Sequence, residues 1–500
     1  MIERFLKSHS LPFQLVVAGG TGLLWGVISL RFSPLWTFIA LSGGGLILAT
    51  LKRPEIALLG ILVCTSSVVF ESALPLVPIG VGSLHVPDLL LLALFGLIVL
   101  RWLVEPDFKI IRTPLDWPLL CFYGVSLLST GIAVYQSSLE FDVASREIRV
   151  ATYYLSFFIV TNLVREDCQL RLLLRGLFVL ASIVAAAMVV QFLLGASLPF
   201  LPGSVYTLLT ADKSYSDVTR IIPPGQSLVL VSFVTTASLL ISERLGLTSI
   251  LCFLRWGLVG LALVLTFLRS YWAVAGVLLL LLALLVTGQS RRRLIGWGLM
   301  IAFLTAMLVL AALRDPASKV ARLLMASSER LATLGSSETL GEGSLEWRYL
   351  ENSYALSQIP SRPLLGLGMG ARYRPFDPRL DQEEGWDARR FIHNGHLWVL
   401  LNMGVLGYLC LMWLSVTFLI RGFKSWRTIS DHWMRGIVLG FTLVYLGLLI
   451  AAVVNSIFAS WSWTPVIGIM MGVNEVALRR AVQEKPGSVA DSGRVAPQEV

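Results

Sequence analysis

Apolar stretches of about 20 residues recur along nearly the whole chain, and a run of that length is what a helix needs to cross the hydrocarbon core of a bilayer. Fourteen are read, near residues 11–30, 35–51, 55–70, 86–104, 117–134, 150–164, 172–194, 221–242, 250–267, 271–287, 294–313, 395–420, 435–455 and 462–478. Several are short, so the expected number of spans is about 12–14. In lipid every backbone polar group has to be satisfied within the chain, which makes helices of such runs. The expected fold class is an all-α polytopic membrane protein with one long, partly helical loop. Composition agrees: 56% of the 500 residues are hydrophobic, only 14% are charged, and the mean hydropathy is +0.76. A soluble domain needs far less apolar surface.

Orientation follows from the 40 Lys and Arg residues. Assigning alternate connections to one side gives that side 22 of them, whereas the short connections opposite hold six: Arg31, Arg146, Arg149, Lys213, Arg220 and Arg269. Arg255 falls within a span, and the other eleven lie in the long loop, which the short-loop count excludes. The positive-inside rule then predicts cytoplasmic termini and an outer loop in a multi-pass membrane protein. Topology accounts for the net charge of +9, and no nucleic-acid partner is needed to explain it.

The expected organisation is a bundle of about eleven spans over 1–313, a periplasmic loop over 314–394, closing spans over 395–478 and a disordered tail over 479–500. The basic N-terminus and its apolar run read as an anchor helix, because no small-residue cleavage site follows. Cys64, Cys121, Cys168, Cys252 and Cys410 are scattered singly without CxxC spacing and read as small core residues.

The long loop is where chemistry can be placed. Residues 314–392 carry eleven acidic and eleven basic side chains, and a connection this long has a task beyond joining two spans. Helical patterning covers 317–334 and 344–359, with Trp347, Leu350 and Tyr354 spaced to share one face. The two helices are expected to form a cap on the outer surface. The following PSRPLLGLGMGARYRPF forbids regular helix through its prolines and Gly366, Gly368 and Gly370. It reads either as a turn-rich return path or as an anion site made of glycine N–H groups beside Arg372 and Arg374. It lacks the strand, turn and helix context of a dinucleotide site.

Arg220, in SDVTRIIPPGQS, is expected to open a helix on the outer side. Arg269, in LTFLRSYWAVAG, sits at a short junction on that same side. Arginine there runs against the topological bias, so each is either a snorkelling side chain or one kept for a task. Guanidinium forks bind phosphate oxygens bidentately while neutralising their charge, so the pair suggests a lipid diphosphate substrate. His393, in HNGHLWVLLNMGVLGYL, stands where the loop meets the next span; imidazoles exchange protons near neutral pH and suit general-base work. It could equally be a surface or packing residue. His396 lies one turn on, but no third ligand and no HExxH spacing accompany it, so no metal site is expected. His9, His85 and His432 fall in unrelated connections.

The many spans, the late outer loop, and RYLENSYALSQIPSRPLLGLGMG leading to HNGHLWVLLNMGVLGYL together resemble the O-antigen ligase and O-antigen polymerase superfamily of bacterial envelope glycan transferases. LTFLRSYWAVAG is similar to that family's earlier arginine segment, and the likeness covers roughly 220–410. The resemblance implies transfer of glycan from an undecaprenyl diphosphate carrier to a lipid or glycan acceptor at the outer face, without a cofactor, nucleotide sugar or essential metal. It implies that Arg220 and Arg269 hold the diphosphate and that His393 is the base. Arg348 matches a recurring loop arginine, structural or substrate-binding, and Asn394, Gly366, Gly368, Gly370 and Arg372 are further candidates of that kind. Two departures bear on the subfamily: PPGQ follows the first arginine where relatives often have an asparagine-rich turn, and Asn402 stands where an acidic residue is common.

A ligase with lipid A core as acceptor is the leading expectation. A repeat-unit polymerase needs the same donor site and is not separated from it by motifs. A flippase would distribute charged groups through the mid-membrane parts of several spans, whereas here they gather on one side.

Overall fold

The computed structural model describes residues 53–66, 68, 77–78, 83–198, 201, 203–209, 214–242, 247–316, 318–332, 343–377 and 387–483. The first two expected spans and the expected tail beyond 483 lie outside the described residues. In chain order the helices are α1 (Pro54–Thr65), α2 (Val86–Val104), α3 (Asp116–Tyr135), α4 (Phe141–Thr152), α5 (Ser156–Leu163), α6 (Asp167–Leu194), α7 (Gln226–Ser242), α8 (Leu247–Leu265), α9 (Arg269–Leu285), α10 (Gly288–Arg314), α11 (Lys319–Ala332), α12 (Gly343–Gln358), α13 (Gly395–Ser425), α14 (His432–Ala451) and α15 (Thr464–Gln483). Strands are few and short: an antiparallel pair β1 (Val77–Pro78) and β2 (Ser83–Leu84), and a longer antiparallel hairpin β3 (Ser204–Leu209) and β4 (Ser214–Ile222). The protein is an all-α polytopic membrane protein.

Among the described residues six helices are long and apolar enough to cross a membrane: α2, α3, α6, α10, α13 and α14. Shorter apolar helices, α1 and α7 to α9, pack among them. Two expected boundaries are corrected. The expected span over 150–164 is interrupted: the amphipathic α4 ends at Thr152, a 3-10 turn covers Tyr153–Leu155, and α5 is only eight residues long. Arg220 does not open a helix; it lies in β4, paired across the hairpin with Tyr206, and α7 starts only after Pro223 and Pro224. Proline has no N–H to give a helix interior and biases the residue before it toward extended backbone, so the PP pair separates strand from helix.

The interior is built by close approach of small residues. Gly440 of α14 lies against Thr235 of α7, and Gly472 of α15 against Val160 of α5; a Cβ at either would stand within 3.0 Å of its neighbour. Lipid tails are as apolar as leucine, so helices in a bilayer associate through this kind of packing rather than through hydrophobic exclusion. Arg421 of α13 grips buried Glu475 of α15 with both forks, at 2.6 and 2.7 Å. Cys168, expected in the core, is exposed in the first turn of α6; the other four cysteines are buried or half-buried.

One local feature positions everything that follows. α13 is broken at Gly404, whose φ of 65° and ψ of −169° interrupt the helical ladder. The N–H groups released there donate to the loop's return path, Val405 to Pro363 O at 2.8 Å and Leu406 to Leu364 O at 3.2 Å. The carbonyls of Leu401 and Asn402 accept in turn from Leu367 and Gly368, at 2.9 and 3.0 Å. Ser129 of α3 donates to Leu365 O and to Asn402 O. The loop therefore threads into the helix break and satisfies it, as a broken helix inside a membrane requires.

Candidate functional site

α12 crosses one end of the bundle and turns a polar face inward. Glu351 is 6% exposed and Ala355 fully buried, whereas Trp347 is 41% exposed. The inward stripe is Arg348, Glu351 and Ala355, spaced i, i+3, i+7 as one helix face demands. The apolar spacing of Trp347, Leu350 and Tyr354 marks the neighbouring face, along which Tyr354 and Leu350 are only half buried.

Glu351 was not among the residues singled out from sequence, and it holds His393. Its carboxylate accepts from the backbone N–H of His393 at 3.0 Å and sits against Nδ1 at 2.9 and 3.1 Å. Phe391 meets the imidazole edge-on, with ring centroids 4.9 Å apart. A carboxylate on Nδ1 selects the tautomer that carries its proton there, leaving the lone pair on Nε2. Nε2 has no hydrogen-bond partner among the described residues, and the side chain is 38% exposed. The pair has the geometry of an oriented general base: one ring nitrogen fixed by an anion, the other open to a substrate proton. A signal for Glu351 did exist in the sequence, since it stands three residues after Arg348 and so shares its face.

The cations converge on the same place. Burial lowers the Arg348 guanidinium from its usual value; Glu351 beside it works in the opposite direction, and the charges of Arg220 and Arg269 lower it further. Arg220 on β4 and Arg269 at the first residue of α9 thus each lie close enough to act on Arg348 of α12. Arg220 is steadied by donating from Nε to the carbonyl of Thr266 at 3.2 Å. Arg269 adds the positive end of the α9 dipole. Like charges gathered beside one carboxylate suit an anion of more than one negative charge.

The remaining candidates fall elsewhere. Asn394 is the N-cap of α13, its Oδ1 accepting from Leu397 N at 3.0 Å, and Gly395 N donates to Ala452 O at 2.7 Å. His396 places Nε2 2.8 Å from the Leu449 carbonyl and packs against Tyr408 and Phe458. Among the described residues no three His, Cys, Asp or Glu side chains are grouped as metal ligands would be. Gly366 and Gly368 have φ of 70° and 92°, and a Cβ would come within 2.6 Å of Asn402 and Ala133 respectively. Their N–H groups already donate to Arg362 O and Asn402 O, and that of Met369 to Thr130. Gly370, at φ 87°, packs on Glu147 and Val143 of α4. The glycine run is a close-packed return path in which the amides of Gly366, Leu367, Gly368 and Met369 are engaged by protein.

Arg372 is tied to Asp387 at 2.6 Å, away from the three converging arginines, and Arg389 and Arg390 bind the same carboxylate at 2.7 and 3.0 Å. Burial would raise the Asp387 carboxyl, but bonds from Arg389, Arg372 and Arg390 outweigh it and hold it well below the usual carboxylate range. The hub anchors the approach to His393, since Arg390 also reaches Gly370 O at 2.6 Å and Tyr373 binds Phe391 O at 3.0 Å. A lowered folded-state value means that this contribution is complete above the ordinary carboxylate pKa of 3.8 and is lost as pH falls from there toward the lower folded value. Hydrogen exchange over 387–393 should therefore accelerate below pH 3.8. In D387N it should already be fast at neutral pH; equal protection in the two proteins would contradict the hub.

These features define a helical membrane protein with a histidine–carboxylate pair facing an arginine cluster at one end of its bundle. Residues 256–412 match the family model Wzy_C, O-Antigen ligase. The matched segment is about a third of the chain and contains Arg269, Arg348, Glu351, His393 and Gly404; Arg220 precedes it. The match supports a membrane glycosyltransferase-like function. No curated protein matches the chain.

Proposed function

We propose that this protein transfers glycan from an undecaprenyl diphosphate carrier to an acceptor hydroxyl at the periplasmic face of the bacterial cytoplasmic membrane, as an O-antigen ligase does. The observation that carries the reading is the convergence of Arg220, Arg269 and Arg348 on the Glu351–His393 pair. Nε2 of His393 takes the proton of the acceptor hydroxyl, and the oxygen attacks the anomeric carbon. The bond from that carbon to the diphosphate oxygen breaks, and its electron pair leaves with the diphosphate. The arginines neutralise the charge that develops there, where fixed donors are worth most. Glu351 stabilises the imidazolium formed in the same step. Direct displacement inverts the anomeric centre, and no step in this scheme requires a metal ion.

The test is to incubate reconstituted protein with undecaprenyl-diphosphate-linked oligosaccharide, with and without lipid A core, and to follow products by mass spectrometry. Glycan on the core with free undecaprenyl diphosphate supports the ligase. Carrier-linked glycan of doubled repeat length supports a polymerase. No transfer by folded protein would overturn both and return the flippase reading.

Replacing Arg269 separates charge from geometry. R269Q should lower kcat by about 10²–10³, as the loss of one donor to a developing anion does. R269K should fall between wild type and R269Q, because ammonium restores charge but not the bidentate fork. Equal rates for all three proteins would remove Arg269 from the reaction.

A further inference from the structure

The opposite end of the bundle holds a second cationic site. α9 starts with Arg269 at the first site and, about 25 Å further along its axis, ends at Leu285, where a cavity of about 470 Å³ opens between α7, α10, α13 and α14. Arg293, Arg427, Arg435 and His432 line it, together with Thr287 and Ser290 at the foot of α10. Among the described residues no carboxylate lines it. The nearest one in sequence, Asp431, is occupied by Arg171 at 2.6 Å and by Trp433 N at 2.9 Å.

The guanidinium groups of Arg427 and Arg435 are held in place without being used up. Arg435 donates from Nε and Nη2 to Ile429 O at 2.9 and 2.5 Å, and Arg427 donates from Nη2 to Leu285 O at 2.9 Å while lying over the Trp426 ring. Each guanidinium has five N–H donors, so most of those on Arg427 and Arg435 are left over. Thr287, the N-cap residue of α10, makes no side-chain cap bond and lines the cavity together with Gln289 and Ser290 of the first turn. α10 itself has no buried residue along its 27-residue length, and it meets the bundle through partly buried side chains such as Trp297, which stacks on Phe253 of α8. A general excess of positive charge on one face would not produce this arrangement. Arg291 and Arg292, on the same turn, are exposed and do not line the cavity.

We infer that this cavity binds a phosphate group, the headgroup phosphate of an anionic lipid whose chains fill the gap beside α10, with Arg293, Arg427 and Arg435 as its ligands. Occupancy ties the foot of α10 to α13 and α14. The site is independent of the transfer reaction, since it lies at the other end of α9.

Delipidated full-length protein in detergent is titrated with phosphatidylglycerol, phosphatidylcholine or inorganic phosphate while thermal unfolding is followed. Phosphatidylglycerol should raise Tm by several degrees and phosphatidylcholine should not, because a ligand that binds only the folded state stabilises it. The rise should vanish in R293Q/R435Q and persist in R291Q/R292Q. Inorganic phosphate giving the same rise would support the site with a soluble ligand in place of a lipid. No rise with either probe, or equal loss in both double variants, overturns the inference. R427Q, at an exposed position, gives a second reading should R293Q/R435Q fail to fold. Its phosphatidylglycerol occupancy by native mass spectrometry should drop several-fold, and wild-type occupancy would count against the site.

Discussion

E351Q should lose about 10²–10⁴ of the transfer rate while remaining folded, the range that general-base assistance and its orienting carboxylate supply. Gln keeps the shape of the side chain and an oxygen that can accept from Nδ1. It cannot offset the charge of an imidazolium, and it replaces the second acceptor, now used by the His393 N–H and Nδ1, with a donor. H393A should fall by a similar factor. The double variant should be no slower than the worse single one, because the two residues act as a unit. The discriminating measurements are kcat and KM of the three proteins with the same lipid-linked donor. The defect should lie in kcat, since neither residue belongs to the arginine cluster proposed to bind the diphosphate. Multiplicative losses in E351Q/H393A would show that Glu351 serves something other than His393, and a pure KM effect would make it a binding residue.

G404A should lower stability by more than about 3 kcal/mol, because two costs combine there. The backbone at φ 65° and ψ −169° belongs to a region open almost only to glycine, and the added methyl would stand 2.3 Å from the carbonyl carbon and oxygen of Leu364. Neither can yield cheaply, since the Leu364 carbonyl accepts from Leu406 N and its neighbours complete the helix break. G96A is the control: Gly96 lies within α2 and a Cβ there meets nothing within 4 Å. Thermal unfolding of the purified proteins should leave G96A close to wild type and shift G404A by many degrees or prevent its recovery. A Tm for G404A within a degree of wild type would mean that the loop does not thread the break as described.

Asn402 belongs to the same account. It is 1% exposed, its amide donates to Trp398 O at 2.9 Å, and its carbonyl accepts from Gly368 N. A neutral side chain suits a buried position whose neighbours are backbone groups already paired with one another. The departure from an acidic residue at this place in the chain therefore has a local structural reason.

Apolar length decided the class of fold from sequence alone, because a helix that crosses lipid has to be continuous and greasy over a set distance. It also delimited α2, α3, α6 and α13 to within a few residues at most ends. Arg220 and Arg269 were legible as candidates because charge is costly beside lipid and an exception stands out against such a background, His393 by its place where the loop meets the next span, and Arg348 only through the family resemblance. What could not be read was which of them meet. Arg220 reaches the site on a strand, and that strand was hidden because Ile221 and Ile222 were read as the start of the apolar stretch that becomes α7, across the Pro223-Pro224 break. Glu351 was obscured because the apolar stripe of α12 invites the assumption that Trp347, Leu350 and Tyr354 face the core. That rule holds where the core is apolar; α12 instead packs its polar stripe against other polar groups, and pairing between Glu351 and His393 outweighs hydrophobic sorting. Gly366, Gly368 and Gly404 were visible as glycines, but only contact between the return path and the broken α13 distinguishes close packing from anion binding. Periodicity and hydropathy are properties of one segment at a time. The site and the break are contacts between segments far apart in the chain, and those were decided by the tertiary structure.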